Sequence, residues 1–182
     1  MNFSDNTPLD KILNGLFIPY AERVPYVKTI TTAMKSIGLI SKQEDIVNDH
    51  IAFRTLGVPK LGIASFEKIF LHHGYTKQDY YFFPKKKLDA YWYKPPNDYY
   101  PRVFISELKV NELSTTAQDI IHSYTKEIEK DPIDEINLDD AEAVVDFLHQ
   151  ALWKLPSLID YKTLLKESEY GAWVIYNRYY LN

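Results

Sequence analysis

A histidine and an arginine four residues apart offer the clearest chemistry in this sequence. They sit in Asn48-Asp49-His50-Ile51-Ala52-Phe53-Arg54-Thr55. The run is β-branched and aromatic, which predicts a strand. Alternation sends His50, Ala52 and Arg54 to one face and Ile51, Phe53 and Thr55 into a core. A metal-capable imidazole and a guanidinium able to fork onto a carboxylate then share a face, separated by a small alanine. Their Cα atoms would stand roughly 13 Å apart. That gap suits a short dicarboxylate held by a metal at one end and by Arg54 at the other.

Glu107 ends a second strand-like run, Arg102-Val103-Phe104-Ile105-Ser106-Glu107-Leu108. It is read as a hydrogen-bonding carboxylate, able to support a metal ligand rather than bind the metal. Arg102 and Ser106 fall on the opposite face from Glu107, and alternation alone leaves open which face lines a cavity. The other polar groups have plainer readings. His72 and His73 complement the negative end of a helix. His122 and His149 are read as structural, and Lys85-Lys86-Lys87 as a solvated turn. The carboxylates between Glu127 and Glu142 lack the glycine-centred spacing of a calcium loop. No phosphate-cradling glycine loop and no serine nucleophile motif occurs.

The elements that must position His50 and Arg54 follow from periodicity. The chain has 182 residues, net charge −4, fifteen tyrosines and no cysteine. This argues against a nucleic-acid footprint and excludes disulfide or thiolate chemistry. Met1 to Pro8 is polar, unlike a signal peptide, and no apolar run approaches a membrane span. A cytosolic (cytoplasmic) protein is expected, with no nucleic-acid or membrane partner and oligomerisation left open. One helix opens at Thr7-Pro8 and is broken by Pro19. A second runs from Pro25 to about Ile37, with Val27, Ile30, Thr31 and Met34 inward. The order from Asp49 to Val110 is β-α-β-β-β. Helices follow at Ser114–Glu129, Leu138–Leu155 and Tyr161–Ser168. The apolar run Gly171-Ala172-Trp173-Val174-Ile175-Tyr176 is β-prone, and Tyr179-Tyr180-Leu181-Asn182 starts a further strand. The chain stops inside that half-strand, so a truncated protein is expected.

The β-α-β-β-β order resembles a module of the vicinal oxygen chelate superfamily. Asp49-His50-Ile51-Ala52-Phe53-Arg54-Thr55, Arg102-Val103-Phe104-Ile105-Ser106-Glu107-Leu108 and Tyr170-Gly171-Ala172-Trp173 together resemble the 2-oxoadipate dioxygenase/decarboxylase family. The resemblance implies an α+β fold in four parts. Residues 1–47 form an N-terminal helical cover, and residues 48–110 a βαβββ metal-site module. Residues 111–168 form a helical insertion, and residues 169–182 the start of an incomplete second β module. It implies a non-haem Fe(II) enzyme of lysine catabolism that takes a small 2-oxo acid and O2. The keto acid 2-oxoadipate becomes 2-hydroxyglutarate and CO2. His50 would be the first iron ligand and Arg54 the catalytic-site residue that binds the substrate carboxylate. The family's second histidine follows an Asn that looks like Asn182, and its glutamate ligand comes later, so both are missing here. Two other readings stay open. One is a metal-dependent isomerase or lyase of the same superfamily. The other is a non-catalytic module that binds a small acid or associates with itself.

Overall fold

The computed structural model describes residues 3–178. Four strands form one mixed sheet: β1 (His50–Leu56), β2 (Thr76–Phe83), β3 (Leu88–Lys94) and β4 (Arg102–Leu108). The spatial order is β1-β4-β3-β2. Strand β1 runs parallel to β4, while β3 is antiparallel to both β4 and β2. A parallel neighbour needs a long crossover, and α3 (Ile63–His72) begins it. The expected β-α-β-β-β order is therefore realised, and β4 has the bounds read from its alternation.

Helix α3 covers one face of the sheet. Its Phe66 and Phe70 pack on Phe53 with ring centroids 4.8 and 5.3 Å apart. Phe66, Ile69 and Phe70 are fully buried, as the periodicity of this helix requires. Strand β2 is the far edge, and all eight of its residues are exposed, including Tyr80, Tyr81, Phe82 and Phe83.

Helix α1 (Pro8–Arg23) passes through Pro19 without ending, contrary to the sequence expectation. A proline inside a helix frees the carbonyl four residues back. Here that carbonyl belongs to Gly15, and the His149 ring nitrogen Nε2 lies 3.0 Å from it. A side chain at Gly15 would collide with Val145, so the close approach requires glycine. His149 is structural, as expected, because it satisfies the group that Pro19 leaves open. Helix α2 (Pro25–Ser36) buries no residue, and Ile30 is exposed. The cover is thus formed by α1, which buries Leu9, Ile12, Leu13 and Leu16.

Two of the later helices are shorter than their apolar patterns suggest, α4 (Thr115–Thr125) and α5 (Ala141–His149), while α6 (Leu158–Glu167) starts three residues before the expected Tyr161. Side-chain caps set their starts. Ser114 accepts from Ala117 N–H, Asp140 from Glu142 N–H and Ala143 N–H, and Ser157 from Asp160 N–H. Residues 169–177 form helix α7 (Glu169–Asn177) rather than a strand, which corrects the β assignment for Gly171 to Tyr176. The run is apolar all round although one face is covered: Gly171, Ala172, Val174 and Ile175 are buried, while Trp173 is half-buried and Tyr176 exposed. Continuous apolarity of this length fits a buried strand or a buried helix equally. The Ser168 hydroxyl, accepting from Gly171 N–H, favours the helix. The expected strand at Tyr179 to Asn182 lies outside the described residues. Among the described residues, no helix is long and apolar enough to cross a membrane.

His73 caps α3, and its Nε2 is buried with no hydrogen-bond partner among the described residues. Burial, reinforced by neighbouring His72, lowers its pKa below the ordinary 6.5. A group depressed in the folded state contributes stability above its unfolded pKa and loses it as pH falls through the folded value. Chemical denaturation is therefore expected to show stability falling as pH drops below 6.5. The variant His73→Gln should flatten that slope.

Candidate functional site

The register of β1 on β4 settles which residues share a face. His50 pairs with Arg102, Ala52 with Phe104 and Arg54 with Ser106. Antiparallel pairing continues this row to Trp92 and Ala90 of β3. These residues occupy the face away from α3. Phe53, Thr55, Ile105 and Glu107 occupy the α3 face. The sequence expectation for His50, Ala52 and Arg54 matches this geometry.

Two hollows flank Ala52. One, about 370 Å³, is lined by His50, Ile51 and Ala52 with Leu16, Phe17 and Tyr20 of α1. The other, about 510 Å³, is lined by Ala52, Arg54, Phe104, Ser106 and Tyr170, with Lys85, Lys86 and Lys87 at its rim. The imidazole and the guanidinium thus open into adjoining space rather than into packed core.

Helix α7 shapes Arg54. The guanidinium carbon lies 4.6 Å from the Trp173 ring centroid and 5.4 Å from that of Tyr170. Aromatic faces attract a guanidinium and hold its plane. Tyr170 is itself tied to the sheet. Its hydroxyl accepts from Thr55 N–H at 3.0 Å and lies 2.9 Å from both Ser106 Oγ and Ser106 O. Burial pushes this hydroxyl well above the usual phenol range, so it stays protonated. Sequence reasoning quoted Tyr170 and Trp173 but missed their role. The signal was Ser168-Glu169, a helix cap followed by an acidic first-turn residue.

At the other end of β1, His50 Nδ1 lies 3.0 Å from Asp49 Oδ2, and the His50 side chain is 58% exposed. Among the described residues, no three His, Asp or Glu side chains converge on a point that could hold a metal. His50 fits as one ligand, and the rest of a ligand set is not supplied by residues 3–178. The position of Asn182 lies outside the described residues.

Glu107 does not support His50 here, because it points to the opposite face. Its Oε2 accepts from Ile63 N–H at 2.7 Å, at the first turn of α3. A side chain on Gly62, the residue before that helix, would collide with this carboxylate. Glu107 therefore caps α3, the hydrogen-bonding role left open by its sequence. Burial raises its pKa, opposed by the Ile63 bond. For such a group, the stabilising contribution is present below the ordinary pKa of 4.5 and lost as pH rises through the raised value. Glu107→Ala is expected to cost about 1–2 kcal/mol by orphaning the Ile63 N–H. Glu107→Gln keeps an acceptor and removes the charge. Its urea midpoint should gain on wild type as pH rises through the carboxylate range.

The model of the 2-oxoadipate dioxygenase/decarboxylase family matches residues 12–182. The chain is 35% identical to "2-oxoadipate dioxygenase/decarboxylase, chloroplastic" of Arabidopsis thaliana, covering 94% of this chain and 46% of that protein. It is 38% identical to the chloroplastic/amyloplastic counterpart of Oryza sativa subsp. japonica, covering 94% and 47%. The chain thus spans about half the length of these curated relatives. A crystal structure of the hydroxyglutarate synthase in complex with 2-oxoadipate from Oryza sativa superposes with TM-score 0.75 at 35% identity, covering 94% of this chain and 55% of that one. A putative glyoxalase superfamily protein from Ralstonia eutropha JMP134, at 20% identity and TM-score 0.71, covers 99% of this chain and 64% of its own and shares the fold. On the extent of these matches, the chain belongs to the 2-oxoadipate dioxygenase/decarboxylase family.

Proposed function

We propose that the full-length protein is a non-haem Fe(II) enzyme that uses O2 to convert 2-oxoadipate to 2-hydroxyglutarate and CO2. One observation carries the reading: His50 and Arg54 share the open sheet face, with a hollow beside each and only Ala52 between them. The complex of the Oryza sativa relative with 2-oxoadipate supports the substrate class. Arg54 binds the carboxylate remote from the keto group, as a planar fork already oriented by Trp173 and Tyr170. Preorientation lowers the ordering cost of binding and fixes where the keto end lies. Phe104, on the same face, presents an apolar wall that limits water. His50 supplies one ligand to Fe(II), the remaining ligands coming from outside residues 3–178. When bound, Fe(II) supplies the centre at which the keto acid and O2 are brought together.

The test is O2 consumption and CO2 release by full-length protein given Fe(II) and 2-oxoadipate. Matched uptake and release, abolished by chelator and by anaerobic conditions, is the expected result. Turnover that continues without O2 would replace this reading with the isomerase or lyase one. Binding of 2-oxoadipate with no turnover and no metal would replace it with the acid-binding module.

A further inference from the structure

The head of β1 carries a chain of contacts that the proposed chemistry has not yet used. Asp49 has two carboxylate oxygens, and each has a partner. Oδ2 lies 3.0 Å from His50 Nδ1, and Oδ1 lies 3.0 Å from Arg102 Nη1. The backbone repeats the second link, with Arg102 N–H donating to Asp49 O at 3.0 Å. His50 and Arg102 are also register partners across the β1–β4 pair. Arg102 in turn stands 5.8 Å from the ring centroid of Trp92, whose indole N–H donates to Asp79 Oδ2 at 3.0 Å. The contacts therefore cross all four strands.

The donor inventory fixes the direction of this chain. An ionised carboxylate only accepts, and a guanidinium only donates. The His50 nitrogen that faces Asp49 must therefore carry the proton. In the neutral ring, that leaves Nε2 with its lone pair free. Arg102 occupies the other oxygen, so Asp49 is held in one orientation. We infer that Asp49 is a positioning residue that fixes His50 in the Nδ1–H tautomer, with Arg102 anchoring Asp49. The inference deepens the reading of His50 as a metal ligand, on which its purpose rests, and names Nε2 as the ligating atom. Metal-binding histidines in general donate their second ring N–H to such an outer acceptor.

The tautomer can be read with no metal present. Histidine is labelled with nitrogen-15 in the full-length protein. Long-range proton–nitrogen spectra are recorded on the neutral ring, and His50 is assigned by its loss in His50→Gln. The expected wild-type signature is Nδ1–H. Asp49→Ala should move His50 to the Nε2–H form, and Arg102→Ala should populate both forms. Arg102→Lys should recover part of the wild-type signature. The three side chains are 58% to 72% exposed, so their truncation leaves the core intact, and an unchanged backbone amide spectrum checks the fold. A wild-type Nε2–H ring, or a ring unmoved by Asp49→Ala, overturns the inference. Co²⁺ titration of the full-length protein separates this from the metal reading. The dissociation constant should rise about 10- to 100-fold in Asp49→Ala. A tautomer that switches while Co²⁺ binding stays the same upholds Asp49 as a positioning residue and removes His50 as the ligand.

Discussion

His50→Ala should lower turnover of 2-oxoadipate by the full-length protein by more than about 100-fold, because even an outer partner of a metal-bound imidazole is worth about 10- to 100-fold. The fold should survive. His50 lies at the first position of an edge strand with a side chain 58% exposed, and its bond to Asp49 is a surface contact. Substitutions of that kind usually move stability by about 0.5 kcal/mol or less. Steady-state O2 uptake and a urea denaturation curve, taken on the same preparation, separate the two effects. The expected pair is an unchanged urea midpoint and negligible turnover. Wild-type turnover in His50→Ala would remove this residue from the chemistry and the oxygenase reading with it.

Tyr170→Ala should cost about 3–5 kcal/mol, the range for emptying an aromatic site in a core. Two effects act together. The ring packs against the main core, so its removal leaves a cavity beside Arg54. The hydroxyl also accepts from Thr55 N–H, and Thr55 is fully buried, so the donor is orphaned. Tyr170→Phe isolates the second effect and should cost about 1–3 kcal/mol, the desolvation penalty of one unpaired donor. Urea unfolding measures both. In the full-length protein, both variants should also raise KM for 2-oxoadipate, since Arg54 loses a ring or the anchor of that ring. A Tyr170→Ala variant as stable as wild type would show that the α7 docking seen here contributes little.

Strand β1 was legible because its alternation matches its burial. In β1, Phe53 and Thr55 are covered, while His50 and Ala52 are open. The face of β4 was not legible, because Val103 and Ile105 alternate with Phe104 and Ser106, and both sets can be buried. Only the parallel register with β1 decides it, and a partner 52 residues upstream (102 − 50) leaves no local trace. Helix α7 was misread because Trp173 and Tyr176, on its less covered side, are as apolar as the buried Gly171, Ala172, Val174 and Ile175, so the helical period is masked. Pro19 was misread because its compensation is tertiary, supplied by His149 from α5. At the proposed site, residue types singled out His50 and Arg54. The contacts of these two with Asp49 and with the Tyr170–Trp173 pair depend on distances that only the fold provides.

The bond between Thr55 and Tyr170 joins residues 115 positions apart. During translation at about 5–20 residues per second, Arg54 would leave the ribosome roughly 6 to 23 s before its aromatic clasp does. In that interval, the strand can pair only with what has already been made, and the guanidinium has no ring to lie on. A nascent chain therefore gains the ring contacts to Arg54 only when α7 arrives. Premature termination before residue 170 would yield a sheet whose Arg54 has neither ring beside it.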